Sequence, residues 1–315
     1  MSTGHDMHFT RLGNTHDKVF AQLLPQSIGV IIVDKTREGV LVVGGSGHQG
    51  AAAVRYLQQR DVPVHAVVRD LADDASSLSG LLGDAEALLM FFDDASAGPA
   101  ERLRQGKAIG QAARRAGVDH VVLSAASAAD HHLAACDQSH AIEDHWRGLG
   151  LAVTVVRAAT LMEEIPWYWL SRFGGQAELA APYPAATHLS WVASADVGAL
   201  AAMVAATPRR FRGRNLRVAG DVASPEEVAA LLAELLGEPV RYSEVQVEGV
   251  FMDLRASERP ADIELLRGLY PGLHTLRTWL ARGGGLELCR RAMADNEAQA
   301  GGEPAGRGPR ETSAA

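Results

Sequence analysis

The sequence predicts an α/β fold: a doubly wound parallel sheet that lacks one edge strand, followed by a smaller, mainly helical C-terminal lobe. Three observations carry this expectation. Continuous apolar runs alternate with helical stretches of about 10–15 residues, the pattern of strands buried on both faces by crossover helices. A glycine-rich turn joins the first strong strand to a helix. After the second strand, only 15 residues separate Asp70 from Ala85, which is room for one helix and no strand.

The elements follow in order. Residues 1–38 form a polar leader bearing His5, His8 and His16. Within it the apolar stretch 27–33 reads as a short buried strand or a docking arm. The run Val40-Leu41-Val42-Val43 is the first main strand, 51–60 the first helix and 62–68 the second strand. Further strands are expected at 85–92, 120–123, 151–156 and 216–219, with helices near 98–116, 136–149, 194–207 and 224–236. Residues 247–295 read as predominantly helical, punctuated by Pro260 and Pro271-Gly272. From Asn296 the composition turns to Gly, Pro, Ala and charge, the signature of a solvated, disordered tail. The chain thus divides into a leader (1–38), a core of alternating strands and helices (39–160), the remaining sheet elements with the C-terminal lobe (161–295), and a tail (296–315).

Composition narrows the function classes. Among 315 residues, 47% are hydrophobic and 22% charged, which excludes a fibrous or fully disordered chain. A net charge of −8 without a basic block argues against nucleic acid. No apolar run approaches the ~18 residues of a membrane span, and residues 1–27 contain no signal-like apolar stretch. Cys136 and Cys289 cannot build a disulfide framework, so a reduced, cytoplasmic protein is expected.

Val43 is followed by Gly44-Gly45-Ser46-Gly47-His48-Gln49-Gly50 and then by helix formers. Glycines at this spacing allow a tight turn and let backbone N–H groups approach a pyrophosphate at the positive end of the helix. The plainer alternative is a tight turn and nothing more. The second strand ends Val67-Val68-Arg69-Asp70. The guanidinium of Arg69 suits the 2′-phosphate of NADP, whereas a carboxylate such as Asp70 would accept the ribose hydroxyls of NAD. Arg69 comes first, which favours NADP(H); a solvated surface arginine is the alternative.

With these residues in hand, the sequence resembles the NmrA-like branch of the atypical short-chain dehydrogenases/reductases over about 40–245. The resemblance is carried by 40–50, 64–70, Asp119-His120-Val121-Val122-Leu123-Ser124, Gly150-Leu151-Ala152-Val153-Thr154-Val155-Val156-Arg157 and Leu161-Met162-Glu163-Glu164. Asp196-Val197-Gly198 and Gly237-Glu238-Pro239-Val240-Arg241-Tyr242 continue it. It implies a Rossmann-type domain, a smaller substrate domain and NAD(P) in the crevice between them. Such proteins include reductases of quinones and other small molecules, and redox sensors that bind cofactor without turnover.

Two departures from that pattern matter. The missing edge strand should leave the adenine side shallower and wetter. The Tyr-x-x-x-Lys relay is absent: counting back from Gly150 puts Ser139 at the lysine position and Ala135 at the tyrosine position. Neither side chain can supply and tune a proton as that pair does.

Candidate replacements are His132, which shares a helical stripe with 135, 139, 142/143 and 146, and His140, about 100° around from it. The resemblance turns that stripe toward the nicotinamide; surface or capping roles are the plainer reading. Ser124 follows a strand whose C-terminal end lines ligand crevices in such sheets, so it is a candidate for hydrogen bonding to ribose or substrate. Trp167, Tyr168 and Trp169 would present a flat apolar surface to substrate, or else pack core or an interface. No metal-ligand spacing is found. Three functions stay open. One is an NADP(H)-dependent reductase of a small quinone-like or conjugated molecule. The second is a non-catalytic redox sensor with a protein partner. The third is a cofactor-independent isomerase, cyclase or lyase. A homodimer is compatible with each.

Overall fold

The computed structural model of the chain describes residues 30–32, 39–67, 75–92, 98–118, 120–126, 134–245 and 261–300. Strand β1 (Val30–Ile32) comes from the leader. Then β2 (Val40–Val43), helix α1 (His48–Gln58), β3 (Val64–Val67), α2 (Ala75–Gly83) and β4 (Ala87–Met90) follow. Next come α3 (Pro99–Ala116), β5 (His120–Ala126), α4 (Ala134–Gly148) and β6 (Ala152–Ala158). After β7 (Thr160–Leu161), β8 (Leu170–Phe173), β9 (Gln176–Ala181) and β10 (Leu189–Val192) lie α5 (Ser194–Ala206) and the short α6 (Pro208–Phe211). The chain continues through β11 (Asn215–Val218), β12 (Asp221–Ala223), α7 (Pro225–Leu236), β13 (Val240–Glu244), α8 (Ile263–Leu269), α9 (Leu276–Arg282) and α10 (Gly285–Ala300).

The main sheet has the order β1-β3-β2-β4-β5-β6-β11. Six strands are parallel; β1 alone runs antiparallel, beside β3. Among the described residues between β3 and β4 the only element is α2, in keeping with the short interval. The apolar runs explain the layers. In β2, Val40 and Val42 point into the core under α1 and α5, while Leu41 and Val43 point into the core under α2, α3 and α4. Successive side chains alternate between faces, and a strand covered on both faces must therefore be apolar throughout.

The smaller lobe is helical toward its C-terminus and also holds two three-stranded sheets, β12-β10-β7 and β13-β9-β8. The β8–β9 hairpin escaped the sequence reading because its strands contain no Val, Ile or Thr. Their pairing is imposed by the turn at Gly174-Gly175 and by tertiary packing, which outweigh local propensity. The expected boundary at Asn296 also moves: α10 continues to Ala300. Residues 247–260 and 301–315, with most of the leader, lie outside the described residues. Among those described, no helix is long and apolar enough to cross a membrane.

Candidate functional site

The glycine turn leads directly from β2 into α1. Gly44 has φ +81°, and a Cβ there would lie 2.5 Å from the Phe91 carbonyl oxygen. A Cβ on Gly50 would lie 2.0 Å from the Gly44 carbonyl oxygen, so this glycine lets the helix close down on the strand. Gly47 differs. Its φ is −70° and ψ 166°, ordinary extended backbone, and a Cβ would meet nothing nearer than the Gly44 oxygen at 3.7 Å. The fold itself therefore does not require glycine at 47. That residue is the N-cap of α1 and offers no side chain to the first-turn N–H groups. A ligand's anionic group would find the positive end of a helix there, with no side-chain cap in place. Gly44 thus serves the tight turn and Gly50 the close packing, two of the three roles glycines take in a dinucleotide-binding turn.

Around the turn, β5 carries Ser124 two residues before its end, and the Ser124 hydroxyl donates to Gln49 Oε1 at 2.8 Å. Ser124 is buried and Gln49 half-buried. His48 and Trp167 come together with ring centroids 5.1 Å apart and planes at 50°. Ser46, beside them in sequence, is exposed.

The three aromatics separate. Ile165–Trp169 form a single π-type turn, so consecutive rings point to different sides. Trp167 reaches His48; Tyr168 is 68% exposed; Trp169 is only 8% exposed and packs on Tyr183 and Trp191. The expected three-ring substrate surface is therefore reduced to Trp167 with Tyr168 at its edge, because Trp169 belongs to the core of the smaller lobe.

Helix α4 corrects another expectation. Ile142 and Trp146, on the stripe expected to face the nicotinamide, are buried against α3, where Trp146 Nε1 donates to the Gly106 carbonyl at 2.7 Å. Apolar burial claims that side of the helix. Neighbouring Glu143 is buried with Arg157 of β6, at 2.7 Å, and also pairs with Arg147. Ser139 and His140 are half-buried on α4. His132, Arg69 and Asp70 lie outside the described residues.

The sequence reading missed a buried polar cluster near the N-terminus of α5. Both carboxylate oxygens of Glu163 lie 3.0–3.1 Å from the Ser194 backbone N–H. Burial pushes the Glu163 carboxyl up to about 7, opposed by the Ser194 hydrogen bond and reinforced by Asp196. Asp196 accepts from the His274 backbone N–H at 2.8 Å and lies 2.9 Å from its Nδ1, which raises the His274 pKa. No periodic signal marks His274, which sits in a loop after Pro271-Gly272. Elsewhere, burial and then the charge of Arg212 lower His120 to about 4, and its Nε2 is 3.0 Å from Thr154 Oγ1. The buried Cys289 thiol is pushed up to about 12 by burial, far from a reactive thiolate. Among the described residues, no group of His, Cys, Asp and Glu could hold a metal ion.

The sequence profile of the NmrA-like family matches residues 36–267. The chain belongs to the NmrA-like family. Among its relatives, the NAD(P)H azoreductase of Xenophilus azovorans is 26% identical over 234 residues, covering 66% of this chain and 78% of the azoreductase. The negative transcriptional regulator NmrA, solved in complex with NADP, superposes with a TM-score of 0.63 at 17% identity, covering 82% of this chain and 98% of its own. The NADPH-dependent quinone oxidoreductase of Escherichia coli, solved with NADPH, gives 0.61 at 18% identity, with 77% and 98% coverage. At these identities the structural likenesses establish the NmrA-like fold.

Proposed function

We propose that this NmrA-like protein binds NADP(H) at the β2–α1 turn and reduces a small, flat, conjugated molecule held against Trp167. The observation that carries the reading is Gly47: the fold has no internal need of glycine there, and a side chain would fill the space a pyrophosphate takes. The named relatives include an NAD(P)H azoreductase and an NADPH-dependent quinone oxidoreductase, both acting on conjugated acceptors. When bound, the dinucleotide supplies a hydride. The chain's residues bind and orient: the N-terminal turn of α1, after Gly47, would hold the pyrophosphate, and Arg69, by its position in the sequence, favours the 2′-phosphate over NAD. Ser124, held by Gln49 near the C-terminal end of β5, is the candidate to hydrogen-bond ribose or substrate. His132 and His140 are the candidates for moving a proton, since Ala135 and Ser139 cannot. A quinone-like or azo acceptor suits such a site, because its reduced form can take a proton from water. We place the protein in the cytoplasm.

The experiment is a fluorescence titration with NADPH and with NADH, followed by NADPH oxidation over a panel of quinones and azo dyes. Tighter NADPH binding with turnover of at least one acceptor supports the reading. Binding without turnover assigns the chain to the redox sensors. No binding of either nucleotide overturns the proposal in favour of cofactor-independent chemistry.

A further inference from the structure

The main sheet has a repair. In a doubly wound dinucleotide fold, strand order 3-2-1-4-5-6 puts the third strand outside the second, at the edge. Here β3 is that second strand, and among the described residues the chain between β3 and β4 provides only α2. The edge position is taken instead by β1, from the leader, running antiparallel to β3. The NmrA-like match begins at residue 36, so β1 lies outside the family's part of the chain. A bare β3 would leave a row of unpaired N–H and C=O groups along four residues.

The register gives this strand a further role. Val30 pairs with Val67 and Ile32 with His65, so β1 secures β3 up to its C-terminal end, the ligand side of such sheets. The same Val67 accepts a hydrogen bond from Gly45 N–H at 3.2 Å. A Cβ on Gly45 would lie 3.2 Å from Ala66 Cβ, so turn and strand are packed as one piece. We propose that β1 is a resident replacement edge strand that positions the glycine turn through Val67, making nucleotide affinity depend on the leader. The inference rests on the nucleotide-binding reading above.

The test uses the full chain with Ile31→Pro, and separately with Val30→Pro and Ile32→Pro combined. In one or the other, proline removes a donor on the side facing β3. Ile31→Val is the conservative control. Hydrogen–deuterium exchange of the peptide spanning 64–67 reads the strand without nucleotide, and an NADPH titration reads its consequence. We expect at least ~10-fold faster exchange and at least ~10-fold weaker NADPH binding in one proline variant, both restored to the unaltered values in Ile31→Val. Unchanged exchange in both proline variants overturns the strand assignment. Faster exchange with unchanged affinity overturns the positioning role. Should the proline variants not fold, the unaltered chain decides: the β3 peptide must exchange as slowly as the interior β4 peptide, and much faster exchange overturns the proposal. Absence of NADPH binding by the unaltered chain is a failure of the binding reading alone, and β1 then stands or falls on exchange.

Discussion

The glycine turn and helix α4 serve one NmrA-like sheet, yet the sequence treats them differently. At the turn, Gly44 and Gly50 are required by the backbone, whereas neither the turn nor the packing requires glycine at 47. On α4, the relay positions hold Ala135 and Ser139, while Ile142, Glu143 and Trp146 are committed to packing. The comparison teaches that cofactor geometry and proton chemistry are encoded separately. A chain can carry the first without the usual version of the second.

The largest expected effect tests whether α4 is held by packing. Glu143→Ala leaves Arg157, 2% exposed, without its buried carboxylate partner. Losing one member of a buried pair costs about 3–5 kcal/mol, measured by urea unfolding. An unchanged midpoint would mean the pair does not anchor α4.

Next is pH. The folded Glu163 carboxyl titrates near about 7 against an ordinary 4.5, so the folded state holds a proton that the unfolded state releases. Stability from this group is present below pH 4.5 and lost as pH rises to about 7. His120, lowered to about 4 from 6.5, works in the opposite sense: its contribution grows as pH rises from about 4 to 6.5 and is constant above. His274, raised by Asp196, loses stability with rising pH as Glu163 does. The difference between the unaltered chain and Glu163→Gln isolates Glu163. Between pH 6 and 8 the variant should lose less melting temperature, and parallel curves would remove Glu163 as the cause.

On the binding side, Arg69→Ala should weaken NADPH by about tenfold and leave NADH unchanged, the loss of one charged phosphate contact. Equal loss for both nucleotides would move the contact away from the 2′-phosphate. Smallest of all is Ser139→Ala. If the protein is a reductase, kcat should fall less than ~10-fold, below the ~10²–10⁴ of a general acid–base group. A 100-fold loss would show that the relay position has been counted wrongly. His132→Ala in the same assay then locates the proton donor.

The sheet and the turn were legible because their signals are local: apolar runs such as 40–43 and glycines at fixed spacing. The short interval after Asp70 even announced the missing strand. What filled the gap was not readable, because pairing β1 with β3 joins segments far apart in sequence, and the stretch 27–33 fits a strand or a docking arm equally well. The aromatic run at 167–169 divides between its readings for a geometric reason: a π-type turn sends adjacent rings apart and puts Trp169 in the core. The Glu163, Asp196 and His274 cluster depends on three segments converging, which no spacing rule reports.

The central claim is that Gly47 is kept for a ligand and not for the fold. It is tested most directly by thermal melts and NADPH titrations of Gly47→Val beside Gly50→Ala. The account predicts that Gly47→Val melts like the unaltered chain and loses at least ~100-fold in NADPH affinity, since its methyls occupy the pyrophosphate's space. Gly50→Ala should lose stability outright, its Cβ driven against the Gly44 carbonyl. An unchanged dissociation constant in Gly47→Val would contradict the account and leave the turn a structural feature alone.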